Sequence, residues 1–333
     1  MLGRYVYQRL RNVLLPDFRR LWTRDLDARV KDVHQTVARL ETELAHLRRT
    51  NRHLVLSEWT ARRSPILDRL DARLSIDAIR AHIQRSLAGA RICLEPTTHL
   101  VVEPLLAPDF YELLLAAIPP AEAFPDRDPV KQDYEMGALD EAPELTRRVW
   151  RFFDEQVVRE ILAPAILERF RDAIIDHYAE TGGRDFGERA AAIPHRPFAG
   201  RIQLRRPGYH LRPHLDPKRV AVTGLMYLAR DADSESYGTQ LFKVDRPFVA
   251  SGMKTFFPEE AGLTCELAAD VPFRPNTLLA FVNSRAAHGA SLPPGAPLEE
   301  RYTFQFYLKP DDGTLKKLLK DLPEDARASW EGF

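Results

Sequence analysis

The apolar pattern of this chain changes period partway along, and that change separates a part that must associate from a part that can bury its own core. From Leu26 the apolar residues recur at alternating intervals of four and three, through Val30, Val33, Val37, Leu40, Leu44 and Leu47, with Asn51 and Leu54 continuing the series. Such intervals repeat every seven residues, the period that keeps one stripe of a helix turned toward a partner helix. With Val30, Val37, Leu44 and Asn51 at the a positions, Leu26, Val33, Leu40, Leu47 and Leu54 fall at d. Branched residues at a, leucine at d and one Asn at a favour a parallel pair, because an Asn buried opposite its own copy is satisfied only in that register. Glu43 at g and Arg48 at the following e attract across the same seam. The repeat predicts a coiled-coil helix and a parallel homodimer through residues 26–54. The plainer alternative is a lone amphipathic helix folded onto its own domain.

Residues 1–24 set Arg4, Arg9, Arg11, Arg19, Arg20 and Arg24 against Leu10, Val13, Leu14 and Leu15. A basic amphipathic segment of this kind can make weak contact with an anionic membrane surface, or simply lead into the coiled coil as a solvated helix. Pro65 interrupts the helical pattern, and Ile66, Leu70, Leu74, Ile79 and Ile83 continue it as a second, connecting helix that ends near Gly89. Residues 105–118 and 144–179 are again apolar at helical spacing, with Pro164 as the expected break. After about Pro194 the texture turns to short alternating runs, "RIQLR", "AVTGLMYL", "TQLFKV", "TLLAFV" and "RYTFQFYL", parted by Pro, Gly, Asp and Asn. Helices first and antiparallel strands later predict an α+β fold, a jelly-roll barrel with a helical buttress. At 333 residues the chain has room for it. The expected boundaries are 1–60 for the basic segment and coiled coil, 61–90 for the connecting helix and 91–333 for the barrel domain.

Composition narrows the partners. Lys plus Arg and Asp plus Glu stand at 48 each, so no overall field draws nucleic acid. Cys93 and Cys265 are the only cysteines, too few for a disulfide framework or a thiolate metal site, which fits a reducing, cytoplasmic setting. No run approaches the ~18 apolar residues that a membrane span needs.

Chemistry concentrates in "GYHLRPHLDPKR", residues 208–219. His214 and Asp216 are two apart, and in an extended segment residues i and i+2 share a face, so both can grip one cation. Downstream there is a single further histidine, His288, in "LLAFVNSRAAHGAS". Two imidazoles and one carboxylate on one face of an octahedron, with the other face open, form the ligand set of non-haem Fe(II) oxygenases. A His-x-Asp pair is a weak signal by itself, and a lone histidine, such as neighbouring His210, is more often a surface or core residue. The pair gains weight from "RYTFQFYLK", where Arg301, Thr303, Gln305 and Tyr307 share one face of a strand. Arg301 with the Thr303 hydroxyl can hold a carboxylate by a charge-assisted fork and one neutral hydrogen bond. An ordinary surface arginine on an edge strand is the alternative.

These segments resemble the 2-oxoglutarate and Fe(II)-dependent oxygenases, most closely the prolyl-4-hydroxylase-like branch, over roughly Leu94 to Pro310. "LRRPGYHLRPHLD" is similar to the stretch in which a tyrosine, a glycine and a His-x-Asp follow in order, and "GLMYLARD" and "YGTQLF" are similar to the next two strands. "RPNTLLAFVNSRAAHGAS" resembles the strand that ends in the distal histidine. The resemblance implies a double-stranded β-helix (cupin-like) fold, with Fe(II) on His214, Asp216 and His288 as metal and catalytic residues. Arg301 would then bind the distal carboxylate of 2-oxoglutarate, and Thr303 would complete an Arg-x-Ser/Thr pattern. There are departures: that branch commonly has lysine at the place of Arg301, often a tyrosine facing the co-substrate at the place of Arg205, and frequently two glycines where "YGT" stands. Arg205 is therefore carried as a further candidate contact to the co-substrate, and prolyl substrates are not implied. Asp216 itself argues against the halogenase variant, which needs a small residue there.

The implied activity is a dioxygenase that hydroxylates or otherwise oxidises a C–H bond with 2-oxoglutarate and O2 as co-substrates, releasing succinate and CO2. Apolar residues such as Leu279 and Phe281 or their neighbours would keep water out of the barrel. The substrate, whether a small molecule, a glycan or lipid precursor, or a protein side chain, is not named by the sequence. Two rivals share the ligand set: a zinc-type metallohydrolase, which has no use for a dicarboxylate anchor, and a coiled-coil scaffold whose barrel only binds.

Overall fold

The computed structural model describes residues 2–125, 128–245 and 254–330. The side chains of residues 1–25, 27 and 28 are not among what it describes, so the arginine-rich face expected over residues 1–24 lies outside the described residues. The chain divides into two compact units, Met1–Glu58 and Trp59–Phe333. Helix α1 (Leu2–Leu67) makes up the first unit and continues into the second. The apolar a and d residues from Leu26 to Leu54 are all exposed, from 45% at Val37 to 64% at Leu47. Among the described residues no helix is long and apolar enough to cross a membrane.

In the second unit the helices arrive in shorter pieces than the sequence predicts. Helix α1 runs past Pro65 and ends two residues later at Leu67; the ring has no N–H to give the preceding turn and crowds its carbonyl, which weakens the helix at this point. The connecting helix is split into α2 (Leu70–Arg73) and α3 (Ile76–Gly89), which bury Leu70, Ile79, Ile83 and Leu87. Helices α4 (Pro108–Ala116), α5 (Glu144–Phe152), α6 (Ala163–Arg169) and α7 (Arg171–Ala191) follow, with a π-helical run over Phe153–Leu162 joining α5 to α6. Pro164 does not break this segment: the helix continues through it, and the turn before the ring is widened to i→i−5 bonding, as in Ala163 N–H to the Val158 carbonyl. The interruption comes instead at Phe170.

The strands are β1 (Ile92–Cys93), β2 (His99–Val102), β3 (Lys131–Glu135), β4 (His195–Arg205), β5 (Tyr209–His214), β6 (Val222–Tyr227), β7 (Thr239–Val244), β8 (Cys265–Val271), β9 (Thr277–Val282), β10 (Ala286–Leu292) and β11 (Arg301–Pro310). They form a seven-stranded sheet in the order β1-β2-β9-β6-β11-β4-β3 and a four-stranded sheet in the order β5-β10-β7-β8, antiparallel throughout. Helices α8 (Asp312–Leu319) and α9 (Glu324–Ala328) close the described chain. Each strand named from the sequence is present. Strands β3, β8 and β10 carry charges, alanine and glycine in place of β-branched residues, so their propensity hides them.

Period-two alternation sorts the large sheet. Its outer face meets the helices: Trp150 stacks on Phe304 with ring centroids 5.4 Å apart, and Phe153 meets the same ring edge-on at 5.2 Å. Gly224 on β6 leaves the space that the Phe306 ring occupies, since a Cβ there would stand 2.3 Å from its Cζ. The inner face and the small sheet share a core of Tyr209, Leu225, Leu241, Leu279, Phe281 and Leu292. The Pro-Gly loop "SLPPGAP" after His288 would by a simple reversal bring the strand of Arg301 back beside "TLLAFV", but β11 lies between β6 and β4, and β9 is separated from it by β6. The reason is that His288 sits within β10, which pairs with β5 and β7, so the chain has already crossed to the small sheet before it turns.

A buried histidine, His177, and a half-buried one, His195, set an acid limit on this unit. The Nε2 of His177 lies 3.0 Å from the Lys218 carbonyl and Nδ1 of His195 lies 2.7 Å from the Ile193 carbonyl. Burial holds both imidazoles neutral and pushes each from an ordinary 6.5 down to about 4. The folded-state values are depressed, so between pH 6.5 and 4 the unfolded chain takes up protons that the folded chain refuses. The thermal midpoint should therefore fall as pH is lowered through that window, and His177→Gln should flatten the slope in a melting series across pH.

Candidate metal centre

His214 is the last residue of β5, and Asp216 follows just beyond it, where Leu215 is pinned by reciprocal backbone hydrogen bonds with Phe256 at 2.8 and 3.0 Å. In the register of β10 on β5, His288 lies opposite His214. Their ring centroids are 4.1 Å apart. All three residues are buried, and one ligand atom from each lies within 4.8 Å of the others.

Each donor is prepared for a cation. A carbonyl can only accept, so Nδ1 of His214, 2.9 Å from the Arg212 carbonyl, is the nitrogen that donates, which leaves Nε2 as the one for a metal. Burial pushes His288 down to about 3, helped by neighbouring His214 and opposed by Asp216, so its imidazole is neutral, the form that ligates a metal. Nε2 of His288 stands 3.7 Å from Oδ2 of Asp216, and its Nδ1 is buried with no hydrogen-bond partner. The Asp216 carboxylate accepts from Thr223 Oγ1 at 2.6 Å and from the Tyr307 hydroxyl at 3.1 Å.

Asn283, at the end of β9, holds the Asp216 loop. Its Oδ1 accepts from the Asp216 N–H at 3.0 Å, while Nδ2 donates to the carbonyls of Asp216, Pro217 and Val220 at 2.8, 3.3 and 3.2 Å. Nothing in the spacing of "FVNS" marks this residue. Its role arises only from a contact across 67 positions.

The triad opens into a cavity of about 320 Å³ that also contains Arg201, Gln203, Arg205, Arg301, Gln305 and Tyr307. Arg301 is buried in it. Its Nε and Nη2 donate to the carbonyls of Tyr237 and Gly238, and its guanidinium lies 5.0 Å from the Phe273 ring centroid and 5.6 Å from that of Tyr227. Among the described residues no carboxylate lies within ion-pair distance, and burial lowers its basicity. Beside it the Thr239 hydroxyl is buried on the cavity wall, next to the buried Tyr227 hydroxyl. A cation and a hydroxyl donor, that of Thr239, facing one cavity match the needs of a carboxylate. Gly238 must stay glycine for this seat to form, since a Cβ would fall 1.6 Å from the Val271 carbonyl oxygen.

The other two candidate co-substrate contacts are engaged elsewhere. The Thr303 hydroxyl donates to Gln203 Oε1 at 2.8 Å and is absent from the cavity wall. Arg205 lines the cavity but pairs with Asp133 at 2.8 Å, donates to the Gln132 and Leu204 carbonyls, and lies over Tyr209 at 5.0 Å. Its charge is compensated. His210 is exposed, in keeping with its plain reading. Phe281 packs against His288 at 4.7 Å, and Leu279 belongs to the same inner core.

No family model matches this chain, and no curated protein does. Among solved structures it is similar to HygX from Streptomyces hygroscopicus with nickel, 2-oxoglutarate and hygromycin B bound, at 15% identity over 64% of this chain and 83% of that one, TM-score 0.40. It is similar also to a prolyl hydroxylase from Trichoplax adhaerens in complex with a hypoxia inducible factor peptide fragment, at 15% identity, 71% and 91% coverage, and a TM-score of 0.37. A Pseudomonas putida prolyl-4-hydroxylase matches at 17% identity over 70% of this chain and 100% of that one, TM-score 0.35. What this chain does has to be read from its own side chains.

Replacing His288 with alanine removes one of three ligands from a preformed site, so His288→Ala should lose stoichiometric metal binding in a metal-content assay while circular dichroism keeps its β signature. Asn283→Ala should weaken metal affinity by about 10–100-fold, the usual cost of losing an outer contact that orients a ligand.

Proposed function

We propose that this chain is a non-haem Fe(II) and 2-oxoglutarate-dependent dioxygenase built on a double-stranded β-helix, which oxidises a C–H bond of its substrate. The observation that carries this reading is one cavity holding His214, Asp216 and His288 within mutual ligand distance together with a buried Arg301 that, among the described residues, has no carboxylate partner. The donor set suits Fe(II), because two neutral imidazoles and one carboxylate leave positions for other ligands. Iron with 2-oxoglutarate and O2 supplies the oxidation, releasing succinate and CO2. The chain's own residues bind, orient and exclude water. Asn283, Thr223 and Tyr307 keep the Asp216 carboxylate in place. Arg301, with the hydroxyl of Thr239, receives the distal carboxylate of the co-substrate. Phe281, Leu225 and Leu279 form the apolar wall that keeps water from the reacting centre.

A zinc hydrolase on the same three ligands would leave Arg301 desolvated for no purpose, and burying a cation without use is costly. A barrel that only binds would not need three metal-competent donors with their protons already arranged.

The exposed heptad stripe supports a further reading, that the first unit pairs in parallel with a second copy of itself, with Asn51 setting the register. Light scattering should report a dimer for the full chain and a monomer after residues 1–58 are deleted. A monomeric full-length protein would exclude the pairing.

Arg301→Ala should weaken 2-oxoglutarate binding by orders of magnitude, since removing the partner of a desolvated charge costs about 2–5 kcal/mol. Lysine should restore part of it, keeping the charge and losing the planar fork. The check is titration of 2-oxoglutarate into anaerobic Fe(II) protein, followed through the metal-to-ligand charge-transfer band, with succinate formation as the turnover measurement. Unchanged affinity in Arg301→Ala would refute the assignment.

A further inference from the structure

The inner face of the large sheet carries a second cationic position that the dioxygenase reading does not use. The charged lining of the cavity consists of Lys131, Asp133, Arg201, Arg205, Asp216 and Arg301. Arg205 is neutralised by Asp133. Asp216 belongs to the metal and Arg301 to the co-substrate on the reading above. Arg201 and the exposed Lys131 are left, and among the described residues neither has a carboxylate within ion-pair distance.

Arg201 is half-buried and held in place. Its Nε donates to Gln305 Oε1 at 2.9 Å, its Nη2 bonds to the same oxygen and to the Tyr307 hydroxyl at 3.1 Å, and its guanidinium lies 5.5 Å from the Tyr307 ring centroid. Gln305 Oε1 also accepts from Gln203 Nε2 at 2.9 Å, and the Thr303 hydroxyl anchors the far end of Gln203. Three donors on one oxygen fix the orientation of the Gln305 amide and leave its N–H2 group for another acceptor. All the partners of Arg201 are neutral. They orient the guanidinium and leave its charge uncompensated.

Position separates Arg201 from the co-substrate anchor. On the paired strands β4 and β11, Arg205 faces Arg301 and Arg201 faces Gln305, so the two sites are four residues, or about 13 Å, apart along the sheet. Arg201 stands at the end nearer the metal ligand, because the Tyr307 hydroxyl that it contacts also donates to Asp216 Oδ1 at 3.1 Å. A group bound there lies beside the triad, on the side away from Arg301.

The geometry points to an anion subsite made by Arg201 and the Gln305 amide, so that the substrate of this dioxygenase carries a carboxylate or a phosphate close to the carbon that reacts. The inference rests on the dioxygenase reading for the word substrate, while the subsite itself rests on Arg201 alone.

The test is titration calorimetry of full-length protein loaded with Ni(II) and saturating 2-oxoglutarate, with inorganic phosphate in one arm and acetate in the other over a chloride background. Saturable binding is expected in at least one arm, and the tighter arm says whether the substrate is phosphorylated or carboxylated. Arg201→Gln should weaken it by about tenfold or more, the loss expected for one charge-assisted hydrogen bond. Gln305→Glu should abolish it while keeping the guanidinium, since the new carboxylate would neutralise Arg201 from the position its amide now holds. Arg201→Lys should retain part of it. No saturable heat in wild type, or heat that both Arg201→Gln and Gln305→Glu retain, overturns the subsite. The charge-transfer band with Fe(II) and 2-oxoglutarate is recorded on the same preparations. Failure of that band counts against the dioxygenase reading and leaves the anion result to be judged by itself.

Discussion

A carboxylate buried in a β-sandwich has to be compensated from all sides, and Asp216 draws its compensation from four strands at once. Thr223 on β6 and Tyr307 on β11 donate to its oxygens, Asn283 at the end of β9 clamps its backbone, and His288 on β10 faces it at 3.7 Å. Removing water from an ionised group is costly unless charge and hydrogen bonds replace it. The hydroxyls and the clamp supply part of that replacement, and a cation held by the carboxylate and the two imidazoles would supply the remainder. Because these contacts come from both sheets, the position of Asp216 and the packing of the sandwich depend on each other.

The large sheet is graded across its inner face. Toward β9 it presents Phe281 and Leu279, and in the middle, on β6, Thr223, Leu225 and Tyr227. Toward β11, β4 and β3 it presents Tyr307, Gln305, Arg301, Arg201, Gln203, Arg205 and Asp133. The triad thus has an apolar wall on one flank and a polar lattice on the other. The lattice runs without a gap from the metal ligand through Tyr307 and Arg201 to Gln305, Gln203 and Thr303. Such a network holds its members in single orientations, because a buried polar group that turns away loses a partner it cannot replace.

Two arginines on this face show how differently the same residue type is used. Arg205 and Arg301 are register partners and both are buried. Arg205 spends its charge on Asp133, whereas among the described residues Arg301 finds only backbone carbonyls and aromatic faces. Which of them stays available to a ligand is decided by the neighbouring strand β3, whose charged sequence "KQDYE" does not announce a strand at all.

The local periods of the chain were legible without the structure. Alternation along β11 placed Arg301, Gln305 and Tyr307 on one face, the spacing of His214 and Asp216 set both on one side of an extended segment, and the four-three repeat marked Leu26 to Leu54 as one apolar stripe of a helix. These follow from the two residues per strand repeat and the seven per coiled-coil repeat, which depend on nothing beyond neighbouring positions. Only the tertiary structure decided that β11 sits between β6 and β4, that Asn283 clamps Asp216, that Thr303 bonds to Gln203 and that Arg205 is neutralised by Asp133. Each of these is a pairing between residues far apart in the chain. The choice of strand neighbour is made by how whole sheets share one core, an energy that no short stretch of sequence contains.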